Sequence, residues 1–373
     1  MSNKKILSKI LKVCYIVFLV YLFLLSIKSI EKGAKLAGEG FAKRLITTTS
    51  NPFVGLFIGI ISTALVQSSS LTTSLVVALV GGGILDLRRA VPIIMGANIG
   101  TSVTNTVVAL THISWRQEFK KAFSAATVHD FFNLLTVALL FPLELHFRYL
   151  SNLASFFEKL FENAGGMKFT SPLKVILSPT VNFLKSIFLK VSLKFCIFAF
   201  FLLGFILLFF SLFLLVRILK KTFSQRMELL MDKYIFRNDF LSLGLGFLLT
   251  SIVQSSSLTT SIIVPLVGAG VLRLERAFVY TMGANLGTTL TCLLASLAVV
   301  GEGKGVALTV ALTHFLFNLN GILIFFPFKK IRQIPLILAK KLAQVCAKRR
   351  FLSLVYIIVV FFVIPICIIL IGR

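Results

Sequence analysis

A stretch of 42 residues occurs twice in this chain, and its best-copied part is polar. Residues 63–104 and 250–291 align without a gap at a constant offset of 187, and 26 of the 42 positions are identical. Both copies contain the same run, Gln-Ser-Ser-Ser-Leu-Thr-Thr-Ser. A packed core repeats apolar positions, whereas a site assembled from two halves repeats polar ones. The duplication therefore predicts two related halves that build one binding site.

The composition is that of an integral membrane protein. The chain is 57% hydrophobic, contains 38 Phe, and has several apolar runs of about 20 residues, the length that spans a bilayer. Its net charge of +26 comes from Lys and Arg that lie between these runs, where loops and helix ends meet the membrane surface. Composition therefore predicts a multi-pass protein of the plasma (inner) membrane, with the lipid bilayer as its partner and no nucleic acid.

Two uncharged regions, 52–85 and 240–272, are too long for one span and too short for two. Each has its polar cluster near the middle, which predicts a re-entrant helical hairpin whose tip lies inside the protein. The other long apolar runs predict about seven full transmembrane spans. These runs are about 10–27, 90–111, 122–143, 195–216, 277–299, 305–328 and 351–371.

An odd number of spans, three, separates the two hairpins, so they open to opposite faces and the repeats are inverted. The predicted fold is an all-α integral membrane protein with two inverted repeats. Basic segments place the N terminus and the loops 217–239 and 329–350 in the cytoplasm. The predicted units are an N-terminal repeat (1–145), a connecting loop with amphipathic segments (146–194), a C-terminal repeat (195–328), and a basic loop with the final span (329–373).

The duplicated motif has the chemistry of an oxyanion site. Serine hydroxyls and the free amides at a helix N-terminus both donate hydrogen bonds to an anion. No Lys or Arg lies in either motif, so neutral donors are expected to hold the anion while a cation brings the balancing charge. The predicted anion ligands are Ser68, Ser69, Ser70, Ser255, Ser256 and Ser257.

The same segments supply oxygen ligands for a small hard cation. Amide and hydroxyl oxygens come from Gln67, Asn98, Thr101 and Thr104, and their counterparts are Gln254, Asn285, Thr288 and Thr291. The Gly-Thr pair in the middle of each span predicts local unwinding of the helix. Ser and Thr in membrane helices also bond to their own backbone and help helices pack, but that alternative does not explain a duplicated polar motif.

Further polar residues lie within predicted spans. His129 and Asn133 are four residues apart, and His314 and Asn318 repeat the spacing, which favours hydrogen bonding between helices. Asp130 has no counterpart in the second repeat, and an ionisable residue within a span indicates function, here an extra cation site. A serine hydrolase with Ser68 or Ser255 as nucleophile is disfavoured, because the chain lacks a Gly-x-Ser-x-Gly elbow at these serines.

The paired QSSS clusters, the run IMGANIGTSVTNTVVAL and the following AFSAATVHDFFNLLTVALLFPLE resemble the type II sodium–phosphate cotransporters in their compact bacterial form. The resemblance covers about residues 50–145 and 240–328. It implies sodium-driven phosphate uptake, with Gln254, Ser255, Thr288 and Thr291 at a sodium site. Asp130 falls where electrogenic animal members carry Asp. Asn133 matches a residue of a further sodium site in the animal members.

The chain departs from the animal members of this family in two places. His112 and Trp115 replace the Gln and Asp that serve their further sodium site, and the loop 144–194 has no Cys. The functional hypothesis is import of inorganic phosphate coupled to sodium by alternating access, with no enzymatic activity, no cofactor and no metal except sodium. The alternatives are transport of another oxyanion or a carboxylate, or a non-transporting membrane sensor. Homo-oligomerisation is left open.

Overall fold

A computed structural model describes residues 2–48, 51–160, 172–222, 237–297, 299 and 303–372. These residues form helices joined by short turns, and none of them lies in a strand. The helices are α1 (Ser2–Thr48), α2 (Pro52–Val66), α3 (Ser69–Gly81), α4 (Leu87–Gly100), α5 (Val103–Leu110), α6 (Arg116–Phe147), α7 (Tyr149–Leu160), α8 (Pro172–Leu189), α9 (Leu193–Thr222), α10 (Asp239–Val253), α11 (Ser256–Gly268), α12 (Leu274–Leu297), α13 (Lys304–Phe325), α14 (Lys329–Lys348) and α15 (Phe351–Ile371).

The predicted spans are confirmed by the length and apolar composition of the helices. Within the described residues, seven helical segments are long and apolar enough to cross a membrane, and each coincides with a predicted span. They are Leu11–Gly38, Leu87–Leu110, Arg116–Phe147, Leu193–Ser211, Leu274–Leu297, Lys304–Phe325 and Phe351–Ile371. The protein is therefore an all-α, multi-pass membrane protein.

The two halves have the same order of helices. In the first half, the short helices α2 and α3 are followed by the span α4–α5, the span α6 and the amphipathic helix α7. In the second half, α10 and α11 are followed by α12, α13 and α14. The predicted unwinding at Gly-Thr occurs in the first repeat, where Thr101 and Ser102 separate α4 from α5. It is wrong for the second, where α12 is continuous.

The two halves interlock because helices of each half pack against helices of the other. The first short helix of each pair packs on its own repeat, α2 on α4 and α10 on α12. The second crosses over: α3 packs on α12 and α13, and α11 packs on α5 and α6. The amphipathic helices cross in the same way, α7 onto α13 and α14 onto α6. Each repeat therefore completes its core with helices of the other.

Matched glycines allow the helix backbones within each repeat to touch. A Cβ added to Gly96 would collide with the Leu56 carbonyl, and one added to Gly246 would collide with the Tyr280 carbonyl. Small residues at such crossings drive helix association in membranes, where lipid removes the hydrophobic advantage of helix contact. Gly59, Gly96 and Gly100 are repeated, at the same offset of 187, by Gly246, Gly283 and Gly287.

Two glycines on one helix provide a matched test of this packing. Gly246→Ala places a methyl group against the α12 backbone, and overpacking of this kind typically costs about 1–3 kcal/mol. Gly244→Ala, two residues away, meets no atom within 4 Å. We expect Gly246→Ala to lower the melting temperature in detergent and Gly244→Ala to leave it unchanged or raise it. Equal melting temperatures for the two variants would contradict the close contact.

Candidate functional site

Both copies of the polar motif interrupt a helix at the same residue. Gln67 ends α2 with φ 57°, and Gln254 ends α10 with φ 55°. This left-handed conformation is unfavourable for a residue with a side chain, and such residues cluster at functional sites. The next residue begins a new helix in both copies: Ser68 Oγ accepts from the Leu71 amide at 3.3 Å, and Ser255 Oγ accepts from the Leu258 amide at 3.4 Å.

The two interruptions face one cavity. Its volume is about 430 Å³, and it is lined by residues of both motifs: Ser68, Ser70, Gln254, Ser255 and Thr291. Ser70 Oγ lies 3.5 Å from the Gln254 carbonyl oxygen, so the two tips approach each other directly. The first turns of α3 and α11 begin here, and their amides lack partners within their own helices. Hydroxyls, amides and a side-chain amide thus converge on a single space.

The six serines predicted to bind the anion divide into two sets. Ser68, Ser70 and Ser255 line the cavity. Ser69, Ser256 and Ser257 are buried and are not among the lining residues. Because the motif is helical from its second serine onward, successive side chains point in different directions. The structure therefore brings one serine of the second motif and two of the first to the cavity wall.

The predicted cation ligands differ between the repeats. In the first, Thr104 Oγ1 donates to Gln67 Oε1 at 2.9 Å, so these two side chains bond to each other. In the second, the corresponding Thr291 hydroxyl is buried without a hydrogen-bond partner, and Thr291 lines the cavity beside Gln254. Gln254 and Thr291 of the second repeat therefore line the cavity without bonding to each other, whereas the equivalent Gln67 and Thr104 of the first repeat are joined by a hydrogen bond.

Thr101 and Thr288 each donate to the carbonyl four residues earlier in their own helix, at 2.9 Å to Ala97 and 3.0 Å to Ala284. A hydroxyl that donates to the backbone keeps its oxygen lone pairs. The hydroxyl oxygens of both threonines are therefore oriented and still able to accept.

A network of buried amides and imidazoles joins the repeats, as the spacing of the histidines predicts. His129 Nε2 donates to Asn285 Oδ1 at 2.6 Å, and Asn285 Nδ2 donates to Asn133 Oδ1 at 2.7 Å. In the mirrored half, His314 Nε2 and Asn318 Nδ2 donate to Asn98 Oδ1 at 3.3 and 3.1 Å. Each histidine–asparagine pair therefore holds the GAN segment of the opposite repeat.

Two links tie the mirrored halves of this network into one path. Asn133 Nδ2 donates to the Asn98 backbone carbonyl at 2.7 Å, which joins the pair on α6 to the GAN segment of its own repeat. Asn105, which sequence reasoning missed, accepts from Thr260 at 2.9 Å and Ser261 at 3.2 Å on α11. Its position is Cys292 in the second repeat. Asn105, like Asp130, therefore lacks its counterpart in the second repeat, and that difference between the repeats could have identified it from the sequence.

Asp130 is buried beside the last span. Its Oδ2 accepts a hydrogen bond from the Tyr356 hydroxyl of α15 at 2.7 Å, and the residue is 4% exposed. His112 is also buried, in the turn between α5 and α6, whereas Trp115 is 42% exposed and stacks on Phe213 of α9. Asp130 is not among the residues that line the cavity between the motifs. Its hydrogen bond to Tyr356 joins it to a helix outside both repeats.

No cluster of His, Cys, Asp and Glu suited to a metal ion occurs among the described residues. All five cysteines are free thiols.

Together, the fold and the site define a helical membrane protein whose two repeats meet, motif against motif, at a polar cavity. The chain belongs to the Na+/Pi-cotransporter family: the family model matches it twice, over residues 22–161 and 207–346. The two matches confirm the repeated halves, and the family confirms the resemblance found in the motifs. Comparison with solved structures gives no match.

Named relatives are similar over most of this chain. Sodium-dependent phosphate transport protein 2B of Homo sapiens is 35% identical over 89% of the chain and 60% of its own length. Sodium-dependent phosphate transport protein 2A of Rattus norvegicus is 34% identical over 96% of the chain and 67% of its own length. The chain thus spans about 60% of the 2B relative.

The network between the repeats can be tested with a double-mutant cycle. Asn285→Leu leaves the His129 donor and the Asn133 acceptor unpaired in the interior, and each such loss typically costs about 1–3 kcal/mol. We expect a clear fall in melting temperature, and a smaller further fall when His129→Leu is added. Strictly additive falls would mean that the two side chains do not interact.

Proposed function

We propose that this protein imports inorganic phosphate and that the sodium gradient drives the import. The observation that carries the proposal is the convergence of both QSSS motifs on one cavity with the Gln254 and Thr291 side chains. The similar human and rat proteins are sodium-dependent phosphate transporters by name. The hydrogen-bond donors described above suit phosphate, and the oxygen ligands suit sodium.

Phosphate is assigned to the serine tips. Ser68 and Ser255 begin α3 and α11, so an anion between them meets two hydroxyls and two helix N-termini. Hydrogen bonds to an ionised group are about twice as strong as neutral ones, which favours an anion over water. Ser70 completes the set from the first tip. We assign Ser69, Ser256 and Ser257 to the packing that holds the tips.

Sodium is assigned to the second repeat. Gln254, Ser255 and Thr291 line the cavity, and Thr288 lies one turn from Thr291 with its hydroxyl oriented by the backbone. Oxygen ligands of this kind suit a small hard cation. The side-chain oxygens of Gln67, Asn98, Asn133 and Asn285 already accept hydrogen bonds. We therefore assign the three asparagines to holding the repeats together, and Gln67 with Thr104 to a contact within the first repeat.

Asp130 is proposed to serve an additional sodium ion. Divalent phosphate with two sodium ions carries no net charge, whereas a third ion makes the cycle electrogenic. The carboxylate lies on α6 three residues before Asn133, and Tyr356 orients one of its oxygens. An ionisable group inside a span is costly to bury, which supports a functional role for it.

Alternating access is the proposed mechanism. The helix α2 has 15 residues and α3 has 13, so at 1.5 Å per residue neither reaches across about 30 Å of hydrocarbon. We infer that α2–α3 and α10–α11 are re-entrant hairpins that enter from opposite sides. Movement of one repeat against the other would then expose the shared site to each face in turn.

The walls of the cavity also indicate which side of the membrane it faces. Besides the two motifs, its walls come from the C-terminal half of α1 and from α8. Basic residues at the N terminus place the start of α1 in the cytoplasm, so its C-terminal half lies toward the outside. We infer that the structure represents the outward-facing arrangement, in which an importer receives its substrate.

An enzymatic role is not supported by the contacts. The hydroxyls of Ser68 and Ser255 cap helices, and the imidazoles of His129 and His314 bond to asparagines of the opposite repeat. We therefore propose that the protein is not an enzyme and needs no cofactor.

Uptake of radiolabelled phosphate into proteoliposomes tests the proposal. We expect accumulation with an inward sodium gradient, and only background uptake when sodium is equal on both sides or replaced by potassium. Excess unlabelled sulfate is added as a competitor: a selective phosphate transporter keeps its phosphate uptake, whereas a general oxyanion transporter loses it. Phosphate uptake indifferent to sodium would contradict the coupling, and no uptake of any oxyanion would favour a sensor.

Two equivalent threonines test the placement of sodium. Thr291→Val removes a hydroxyl at nearly constant volume, and a loss of about 1 kcal/mol in cation binding raises the half-saturating sodium concentration about fivefold. Thr104→Val is the matched control, because Thr104 bonds to Gln67. We expect a much smaller rise for it. The measurement is a sodium titration of phosphate uptake. If the half-saturating sodium concentration rises equally in the two variants, the assignment of sodium to the second repeat is wrong.

A further inference from the structure

The Asp130 carboxyl group has one oxygen that is hydrogen-bonded and one that is not. Tyr356 Oη donates to Oδ2 at 2.7 Å, whereas Oδ1 is buried with no hydrogen-bond partner among the described residues. Within the same part of the chain, no Lys, Arg or His forms an ion pair with this group. A buried carboxylate without a partner is costly, so this one requires a cation or a proton.

The side chain beside this carboxyl group is directed to accept and not to donate. Ser102 lies against Asp130, in the break between α4 and α5. Its hydroxyl donates to the Ile99 carbonyl at 2.9 Å, so its lone pairs remain for other groups. Ser102 is fully buried and Asp130 is 4% exposed. Both side chains therefore offer acceptor oxygens in the interior, and neither donates to the other.

Neighbouring acceptors in the interior suit a cation, and small hard cations take oxygen ligands. The break at Thr101 and Ser102 also leaves helix-end carbonyls that can serve as further ligands. The second repeat differs at each point. There α12 is continuous, Thr289 takes the Ser102 position, and Phe315 takes the Asp130 position. These features therefore favour a cation at the break in the first repeat.

A third part of this arrangement comes from the last span. The Tyr356 ring makes edge contacts with Phe123 of α6 and with Phe361 of its own helix, at 6.2 and 6.1 Å between ring centroids. Residues five apart lie on different faces of a regular α-helix, but α15 widens into a π turn at Val359–Val363, and this turn brings Phe361 to Tyr356. Both phenylalanines are fully buried. The Tyr356 hydroxyl is therefore held against Oδ2.

We propose that Ser102 is a ligand of the additional sodium ion at Asp130, and that Tyr356 is a positioning residue that leaves Asp130 Oδ1 directed at this ion. The inference rests on the proposed function, because it builds the site of the sodium ion assigned there to Asp130. It places the ion at the break between α4 and α5, apart from the sodium ion of the second repeat. The last span, which lies outside both repeats, thereby takes part in binding the ion that makes transport electrogenic.

The test measures current and labelled phosphate uptake together in proteoliposomes. In the parent, three sodium ions with divalent phosphate move one net positive charge inward. Ser102→Ala removes one ligand and is expected to raise the half-saturating sodium concentration of the current about fivefold. Tyr356→Phe releases the carboxylate and is expected to lower the charge moved per phosphate at low sodium, with the parent ratio restored at high sodium. Phosphate uptake persists in both variants, because two sodium ions still balance the divalent anion.

Asp130→Asn separates sodium from a proton as the occupant of this site. The amide has the shape of a protonated carboxyl group and can donate to Ser102 as that group would, but it carries no charge for a cation. We expect this variant to take up phosphate without current at any sodium concentration. A current equal to that of the parent would mean that Asp130 is protonated and structural, and it overturns the proposal.

Two variants serve as matched controls. Thr289→Val removes the equivalent hydroxyl of the second repeat, which donates to the Leu286 carbonyl at 2.6 Å. Tyr21→Phe removes a hydrogen bond to Thr180 of 2.7 Å, the same length as the bond made by Tyr356. Both controls are expected to keep the parent charge per phosphate and its sodium dependence. Parent-like currents in both test variants, or equal changes in test variants and controls, overturn the proposal, and melting temperatures identify any variant that fails to fold.

Failure of this inference can be told apart from failure of the proposed function. Sodium-driven phosphate uptake without current in the parent overturns the inference and leaves phosphate import in place. If the parent takes up no phosphate, the proposed function fails, and binding of radiolabelled sodium to the purified protein decides the inference. The parent is then expected to bind more sodium per molecule than Asp130→Asn does. Equal binding by the two proteins overturns the inference.

Discussion

The rest of this structure depends on one constraint: a helix interrupted inside a membrane leaves backbone groups that lipid cannot bond. The breaks at Gln67 and Gln254 create such groups in both repeats. They are tolerated only where protein or a watery cavity surrounds them. The crossing of α3 and α11 onto the opposite repeats supplies that enclosure.

Two kinds of contact hold this arrangement, and they act in different places. Glycines bring backbones together within a repeat, as Gly96 does on the Leu56 carbonyl. Asparagine and histidine side chains join the repeats to each other, as His129 does at Asn285. The first kind of contact depends on shape and the second on directed hydrogen bonds. The site therefore lies where the two repeats meet along a polar seam.

The symmetry of the repeats is broken where the proposed chemistry requires it. Gln67 is hydrogen-bonded to Thr104, whereas the equivalent Thr291, a residue that lines the cavity, has a buried hydroxyl with no hydrogen-bond partner. Asp130 and Asn105 have no polar counterparts, and the lysines of α1 line the same cavity from outside the duplicated motifs. Duplication supplied two similar half-sites, and these differences make the two unequal.

The sequence by itself determined the membrane class, the spans, the repeated halves and the position of the helix breaks, because length, hydropathy and a duplicated motif are local properties. It also indicated that His129 and His314 bond between helices. Only the tertiary structure decided which serines reach the cavity, since that depends on the direction of each side chain after the break. The same holds for Lys28 and Lys32. A lysine near the end of a span resembles any other in sequence, and only the packing of α1 on α2, α8 and α9 brings these two to the cavity that the serines line.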